Sequence, residues 1–405
     1  MTKKRIAALV FILTLIFTFI SYPQSAFAAS VPSIKTTLAD GILKGSKKTF
    51  DVWARDGSGN KIESTVKLNG VKVSPTWDDN EKTSYTLVFT KEGENTVSVS
   101  ASDGGKTAEK TYKITYKKAA KGEKIGTAVW GVELFTIGNG YLIYPVEVPI
   151  YEGETAATEL LRLLSDNGYA AYYGGSETKS FYLAYISDGT STAATFSGYK
   201  KSGSAKNPKK LEINPKIPDI LTPHLKKNMS YFDTEDYAKN WKGNLGEFVF
   251  TNGSGWMYSV NNVFPNVGFA DTYLSDGDVV RVSFTLGYGA DIGGGSAVGS
   301  AAAEYYKTAD KTELTRQLSL ASSRLSKSNV KAAYLATIKV AEKLNATQSE
   351  TDSATKAIKE ALSKKETVPE PKTEPATPTD TKTPAKTPTE GKVTENPKTD
   401  TPTEE

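Results

Sequence analysis

The sequence predicts a multidomain, mostly β protein: a β-sandwich, then an α+β module, then a small three-helix module and a disordered tail. Three observations carry this. Short runs alternate apolar and polar residues from about Pro32 to Tyr116, and one amphipathic helix interrupts strand-like runs between 125 and 292. Composition then changes twice, to helical periodicity after Gly293-Gly294-Gly295 and to Pro, Thr, Lys and Glu after about Lys364. A chain of 405 residues has room for two or three modules, each with its own core.

Residues 1–28 read as a secretory signal: Lys3, Lys4 and Arg5 precede an apolar run from Ile6 to about Ile20, and Ala26-Phe27-Ala28 stands before Ala29. The expectation is a secreted, cell-surface protein associated with a Gram-positive wall. The chain has no cysteine, so disulfides, zinc-thiolate sites and cysteine nucleophiles are excluded. With 50 basic and 46 acidic side chains, the net charge of +4 makes no concentrated basic face, and nucleic acid is not an expected partner.

From 29 to 117, TFDVWAR, TVKLNGVKV, SYTLVFT, NTVSVSAS and TYKITYK read as strands. Asp56-Gly57-Ser58-Gly59-Asn60, Asn69-Gly70 and Asp103-Gly104-Gly105 are the turns between them. This segment resembles the immunoglobulin-like or cadherin-like modules of bacterial surface proteins, through LNGVKV, EGENTVSVSASDGG and YKITYK. The oxygen-rich turn at Asp56 is not an EF-type calcium loop, because Lys61 and Lys67 stand where glycine and a bidentate acid are needed. Lys117 to Lys124 reads as a polar linker.

From 125 to 292, two strands, TAVWGVELFTI and YLIYPVEVPIY, flank Gly138-Asn139-Gly140. A helix follows with Thr155 as N-cap, Leu160, Leu161 and Leu164 on one face, and Asn167-Gly168 as its stop. After the strand FYLAYISDG comes a polar insertion, about 190–244, then EFVFTNGSGWMYSVNN and DVVRVSFTLGYG. Two strands, a helix, then further strands is the order of a β-grasp. EFVFTNGSGWMYSVNN reads as a hairpin whose turn, Asn252 to Gly255, needs its glycines. Residues two apart on a strand share a face, so Trp256 and Tyr258 point together and Met257 points away.

The stretches VEVPIYEGETAATELLRLL and GSGWMYSVNNVFPNVGFADTYLSDGDVVRVSFTLGYG resemble the transcobalamin-like C-terminal domain, a domain of unknown function in bacterial surface proteins. The resemblance implies a β-grasp fold and a soluble ligand. In the vertebrate carriers this domain is one half of a clamp whose other half is a helical barrel, and here a sandwich precedes it instead. The candidate ligand-binding side chains are Trp256, Tyr258, Phe264 and Tyr273, with cobalamin or another corrinoid as a possible ligand. The turn-forming residues are Gly253, Gly255, Asn266, Gly268, Asp276, Gly277 and Asp278.

Amphipathic segments at 312–325, 330–344 and 350–362 predict three helices within 308–363. With LNATQSETDSATKAIKEAL between the last two, they resemble the FIVAR-type module of cell-wall proteins. The tail, 364–405, offers no apolar group for a core and reads as a disordered spacer through a cell wall. It carries no sortase signal of the LPxTG kind, so the expectation is either a released or loosely wall-held protein or an anchor that follows Glu405.

Catalysis is not expected. The one histidine, His224, lies in the insertion without a nucleophile arrangement. Gly287-x-Gly289 lacks phosphate-loop spacing, and Asp276 and Asp278 flank a turn glycine in LSDGDVV. What stands out is aromatic side chains beyond core needs between 125 and 292, of use in binding. The expected function is therefore non-enzymatic binding by a monomer, peripheral to the cell envelope, of a small molecule or of a cell-wall or host-surface component. The alternative is a structural or adhesive protein with no small-molecule site.

Overall fold

The N-terminal strands are β1 (Ser33–Thr36), β2 (Gly41–Leu43), β3 (Lys47–Arg55), β4 (Ser64–Leu68), β5 (Val71–Val73), β6 (Pro75–Asp78), β7 (Thr83–Val88), β8 (Gly93–Asp103) and β9 (Lys106–Tyr116). They form two sheets, ordered β1-β3-β7-β6 and β2-β9-β8-β4-β5. Every second residue faces inward: Phe50, Val52 and Ala54 of β3 share one core with Val97, Val99 and Ala101 of β8. Burying each larger side chain contributes about 1.5–3 kcal/mol. Tyr85 of β7 stacks on Phe50 and donates its hydroxyl to the Ser64 carbonyl at 2.8 Å, which ties the two sheets together.

This computed structural model describes residues 31–189, 198–203, 205–235, 237–298 and 303–364. The signal-like residues 1–28, and the tail apart from Lys364, lie outside the described residues.

The second region holds β10 (Lys124–Glu133), β11 (Tyr141–Tyr151), α1 (Ala156–Asp166), β12 (Ala170–Ser176), β13 (Lys179–Ser187), β14 (Lys200–Lys201), α2 (Thr222–Asn228), β15 (Asn244–Gly246), β16 (Gly255–Val260) and β17 (Val279–Thr285). Its main sheet has the order β11-β10-β17-β16, mixed because β10 and β17 run parallel. A second sheet has the order β14-β12-β13-β15. Thr155 caps α1 and Asn167 ends it, with Gly168 following at a left-handed φ of 90°. Leu160, Leu163 and Leu164 are the buried face of α1.

EFVFTNGSGWMYSVNN differs from its expected hairpin. β15 pairs with β13 and β16 pairs with β17, so the chain from 247 to 254 crosses between two sheets. The stretch 190–244 is also more than a polar loop, since Leu211, Leu221 and Leu225 are buried in the common core.

The main sheet is covered on both faces. One is apolar, carrying Trp130, Val132, Val280, Val282 and Phe284. The other carries Glu133, Arg281 and Ser283 and lies under α3 (Thr312–Ser322), which is packed with α4 (Ser328–Glu342) and α5 (Gln348–Ser363). Arg281 grips the Glu133 carboxylate with two bonds of 2.7 and 2.9 Å, and Ser283 adds a third of 2.9 Å. The described residues up to Ser363 form one compact unit.

Candidate functional site

Cross-strand pairing on β17 puts Trp256 opposite Phe284 and Tyr258 opposite Val282, on the apolar face. Tyr258 is buried and stacks on Phe269 at 3.8 Å. Its hydroxyl donates to the Val267 carbonyl at 2.8 Å and meets Thr272 Oγ1 at 2.7 Å, so both its ring and its polar end are committed inside the protein. Trp256 is half-buried, its indole N–H donating to the Leu245 carbonyl at 2.9 Å, which links the two sheets where the chain crosses. These two residues share a face as expected, and that face is the core.

Phe264 and Tyr273 lie on the loop between β16 and β17, where the N-terminal sandwich docks. Lys47 donates to the Tyr273 hydroxyl at 2.9 Å and sits over its ring. Lys82, buried against Asp51 at 3.1 Å, also donates to the Phe264 carbonyl. Asn266 donates to Asp79, and Lys48 reaches Ser275 at 2.8 Å and Asp278 at 3.7 Å. Thr49 donates to the Asp271 carbonyl at 3.0 Å, and Ser46 to the Glu152 carboxylate. Cavities at this junction are small, one of about 60 Å³ lined by Lys48, Asp51, Asn261, Tyr273 and Asp278 and another of about 40 Å³ lined by Ser46, Lys47, Glu152 and Tyr273. Pockets for small molecules run to ~300–1,000 Å³, so a corrinoid gripped between two modules does not fit this junction.

The remaining turn residues are structural in definite ways. Asp276 accepts from the Thr127 amide at 2.8 Å, and Asp278 from the Ser275 amide at 2.7 Å and from Asn261 at 2.8 Å. Gly277 is left-handed at 82°, whereas Gly268 has an ordinary φ of −72°. Gly253 is required by space, since a Cβ there would sit 2.8 Å from Met229 Sδ and 3.0 Å from the Leu286 carbonyl. Gly255 is not required, because a Cβ there would meet nothing within 4 Å and its φ is not positive.

Around this crossing turn stands a rim of aromatic side chains: Tyr182 and Tyr288 belong to the aromatic excess noted in the sequence between 125 and 292, Phe248 and Tyr231 were passed over, and none of the four was singled out as a site residue. Phe248 is 54% exposed, Tyr182 47%, Tyr288 44% and Tyr231 42%. Hydrogen bonds string them together: Tyr231 donates to the Phe248 carbonyl at 2.7 Å, and Asn252 of the turn donates to Tyr288 Oη at 3.0 Å. Tyr182 and Tyr199 both donate to Glu247, at 2.7 and 2.5 Å. Phe248 and Tyr288 have φ of 63° and 52°, in the left-handed region that bulky residues avoid. Two large apolar side chains are thus held toward solvent at a backbone cost of ~1–2 kcal/mol each. The sequence signal was the apolar run Phe248-Val249-Phe250 after Glu247, which reads equally well as a strand.

Glu247 is 9% exposed, and among the described residues no basic side chain lies within ion-pair distance of it. Burial, then the Glu247 carboxylate, hold the Tyr182 hydroxyl well above its usual range, and the bond to Glu247 pushes that of Tyr199 up to about 12. Both hydroxyls therefore remain donors at physiological pH. Below them Tyr185 stacks on Trp241 at 5.7 Å. His224 stacks flat on Tyr305 at 4.5 Å. Among the described residues no group of three or more His, Asp or Glu is placed to hold a metal.

Residues 216–285 match the family model described as a domain of unknown function, DUF4430. That span includes α2, the crossing turn and β16, and ends with β17. No curated protein matches the chain. Among solved structures, 23% of the chain is similar to 99% of a chimeric titin Z1Z2 carrying a peptide from decorin, at 20% identity and a TM-score of 0.19. Titin domain M7 matches over 22% of this chain and 96% of its own, at 16% identity and a TM-score of 0.19. Fibronectin(III)-like modules of CbhA from Clostridium thermocellum match over 22% of this chain and 48% of theirs, at 21% identity and a TM-score of 0.19. At such TM-scores the likeness carries nothing about this chain's function.

Proposed function

We propose that this chain is an exported, non-enzymatic binding protein of the cell surface. In this reading an immunoglobulin-like sandwich and a FIVAR-like helical module hold between them a transcobalamin-like β-grasp module, which takes its ligand at the aromatic rim. One observation carries the proposal: Phe248 and Tyr288 stand exposed on left-handed backbone beside the same turn. Exposed apolar side chains held in strained conformations are a mark of binding surfaces, because nothing in the folded protein alone repays the strain. The sequence candidates lie apart from this rim, Tyr258 in the core and Phe264 and Tyr273 at the junction with the sandwich.

Trp256 and Trp241 lie close enough to the rim for intrinsic fluorescence to report on it. The test is titration of the full chain with cobalamin, wall glycan fragments and matrix protein, alongside a variant carrying Phe248→Asn and Tyr288→Ala. Binding by the parent protein that the variant loses, with an unchanged circular dichroism spectrum, is the expected result. Equal binding by both would place any site elsewhere and end this reading.

A further inference from the structure

We infer that the ligand of the rim is a neutral oligosaccharide chain. This rests on the binding reading above and names the ligand class for the same surface.

The three tyrosine rings are fixed in direction before any ligand arrives. Tyr182 is pinned through its hydroxyl to Glu247, Tyr231 to the Phe248 carbonyl and Tyr288 to Asn252. Each keeps 42–47% of its surface open, and Phe248 keeps 54%. Preorganised flat faces suit a ligand that is itself a row of rigid rings with C–H groups on their faces, because little side-chain freedom is lost on contact.

The charge beneath the rings restricts the ligand further. Glu247 accepts from the Tyr182 and Tyr199 hydroxyls and is only 9% exposed, so it acts on a ligand through its field. A carboxylate with no cation beside it repels phosphates, nucleotides and carboxylates. Sugars present apolar C–H groups on the faces of each ring and bring no charge, so they stack on exposed aromatic rings without that repulsion.

Shape decides between a chain and a compact molecule. Pockets for small ligands enclose 70–90% of the ligand's surface. Side chains this exposed on four separate positions form an open face, suited to a chain lying across it with successive units on successive rings.

The experiment is isothermal titration of the full chain with β-1,4-linked glucose and N-acetylglucosamine oligomers of increasing length, with cobalamin and tetramethylammonium as comparison probes. Affinity is expected to rise with oligomer length. Phe248→Asn and Tyr182→Ala should each lower it roughly tenfold, with Tyr182→Phe closer to the parent. Thermal melts of each variant exclude unfolding as the cause. Absence of binding to every oligomer overturns the inference. If cobalamin, tetramethylammonium or a protein binds instead and Phe248→Asn abolishes it, the sugar assignment falls while the rim remains a binding surface. Oligomer binding that is the same in the parent and both ring variants removes the rim and the inference together.

Discussion

At Phe248 the side chain and the backbone pull in opposite directions. Its φ of 63° is comfortable for glycine and unfavourable for a bulky residue, while its ring is 54% exposed and contributes little burial. Phe248→Gly is therefore expected to raise stability by ~0.5–1.5 kcal/mol in urea denaturation while weakening binding. Phe250, at a φ of 78°, is buried and stacks on Tyr237 at 5.6 Å, so its strain is offset by packing. A second residue-scale tension lies at Glu159, on the buried face of α1. The Trp130 indole N–H faces its carboxylate without reaching ordinary hydrogen-bond geometry, and neither oxygen has another hydrogen-bond partner among the described residues. Burial pushes its carboxyl up to about 8, well above the ordinary carboxylate range. The raised folded value means that Glu159 is accommodated best below the unfolded pKa. Stability is then lost as pH rises through that value toward about 8. Glu159→Gln should flatten this slope and stabilise the protein at neutral pH by up to ~3 kcal/mol, read from denaturation midpoints between pH 4 and 9.

Elements are held by what covers them. Both faces of β17 are buried, one against an apolar core and the other against α3, and that second face carries Arg281. A buried charge left alone costs far more than a buried pair, so Arg281→Met, which strands Glu133, should destabilise by ~3–5 kcal/mol. Adding Glu133→Leu to it should recover much of that loss, as read by thermal and chemical denaturation. Here sequence reasoning met its limit. VVRVSF alternates as a strand should, but the alternation does not show that the polar face is covered and ion-paired, since Arg281 finds Glu133 at a sequence distance of 148. EFVFTNGSGWMY misled for the same reason: period-two patterning marks strands without saying which sheet each joins. By contrast α1, its cap at Thr155 and its stop at Asn167 were legible because capping is local chemistry.

Across the whole molecule, the junction makes the sandwich a partner of the α+β region. Lys82 is 4% exposed and its charge is answered by Asp51 and the Phe264 carbonyl, one contact on each side. Lys82→Met leaves Asp51 buried without its cation. We expect a single calorimetric transition in the parent protein to split into two in this variant, with faster proteolysis between residues 117 and 124. Retention of one transition would show that the remaining contacts of Lys47, Lys48 and Thr49 suffice. Local pattern alone determined β3, β4, β5, β7, β8 and β9 of the sandwich, the helix α1, the three C-terminal helices and the pairing of Trp256 with Tyr258 on one face, because each depends on neighbours within a few residues. Which face was core, that Phe264 and Tyr273 meet lysines of a distant sandwich, and that Phe248 rather than Trp256 reaches solvent were decided by tertiary structure. Burial belongs to the surfaces that meet, and those surfaces come from segments more than a hundred residues apart.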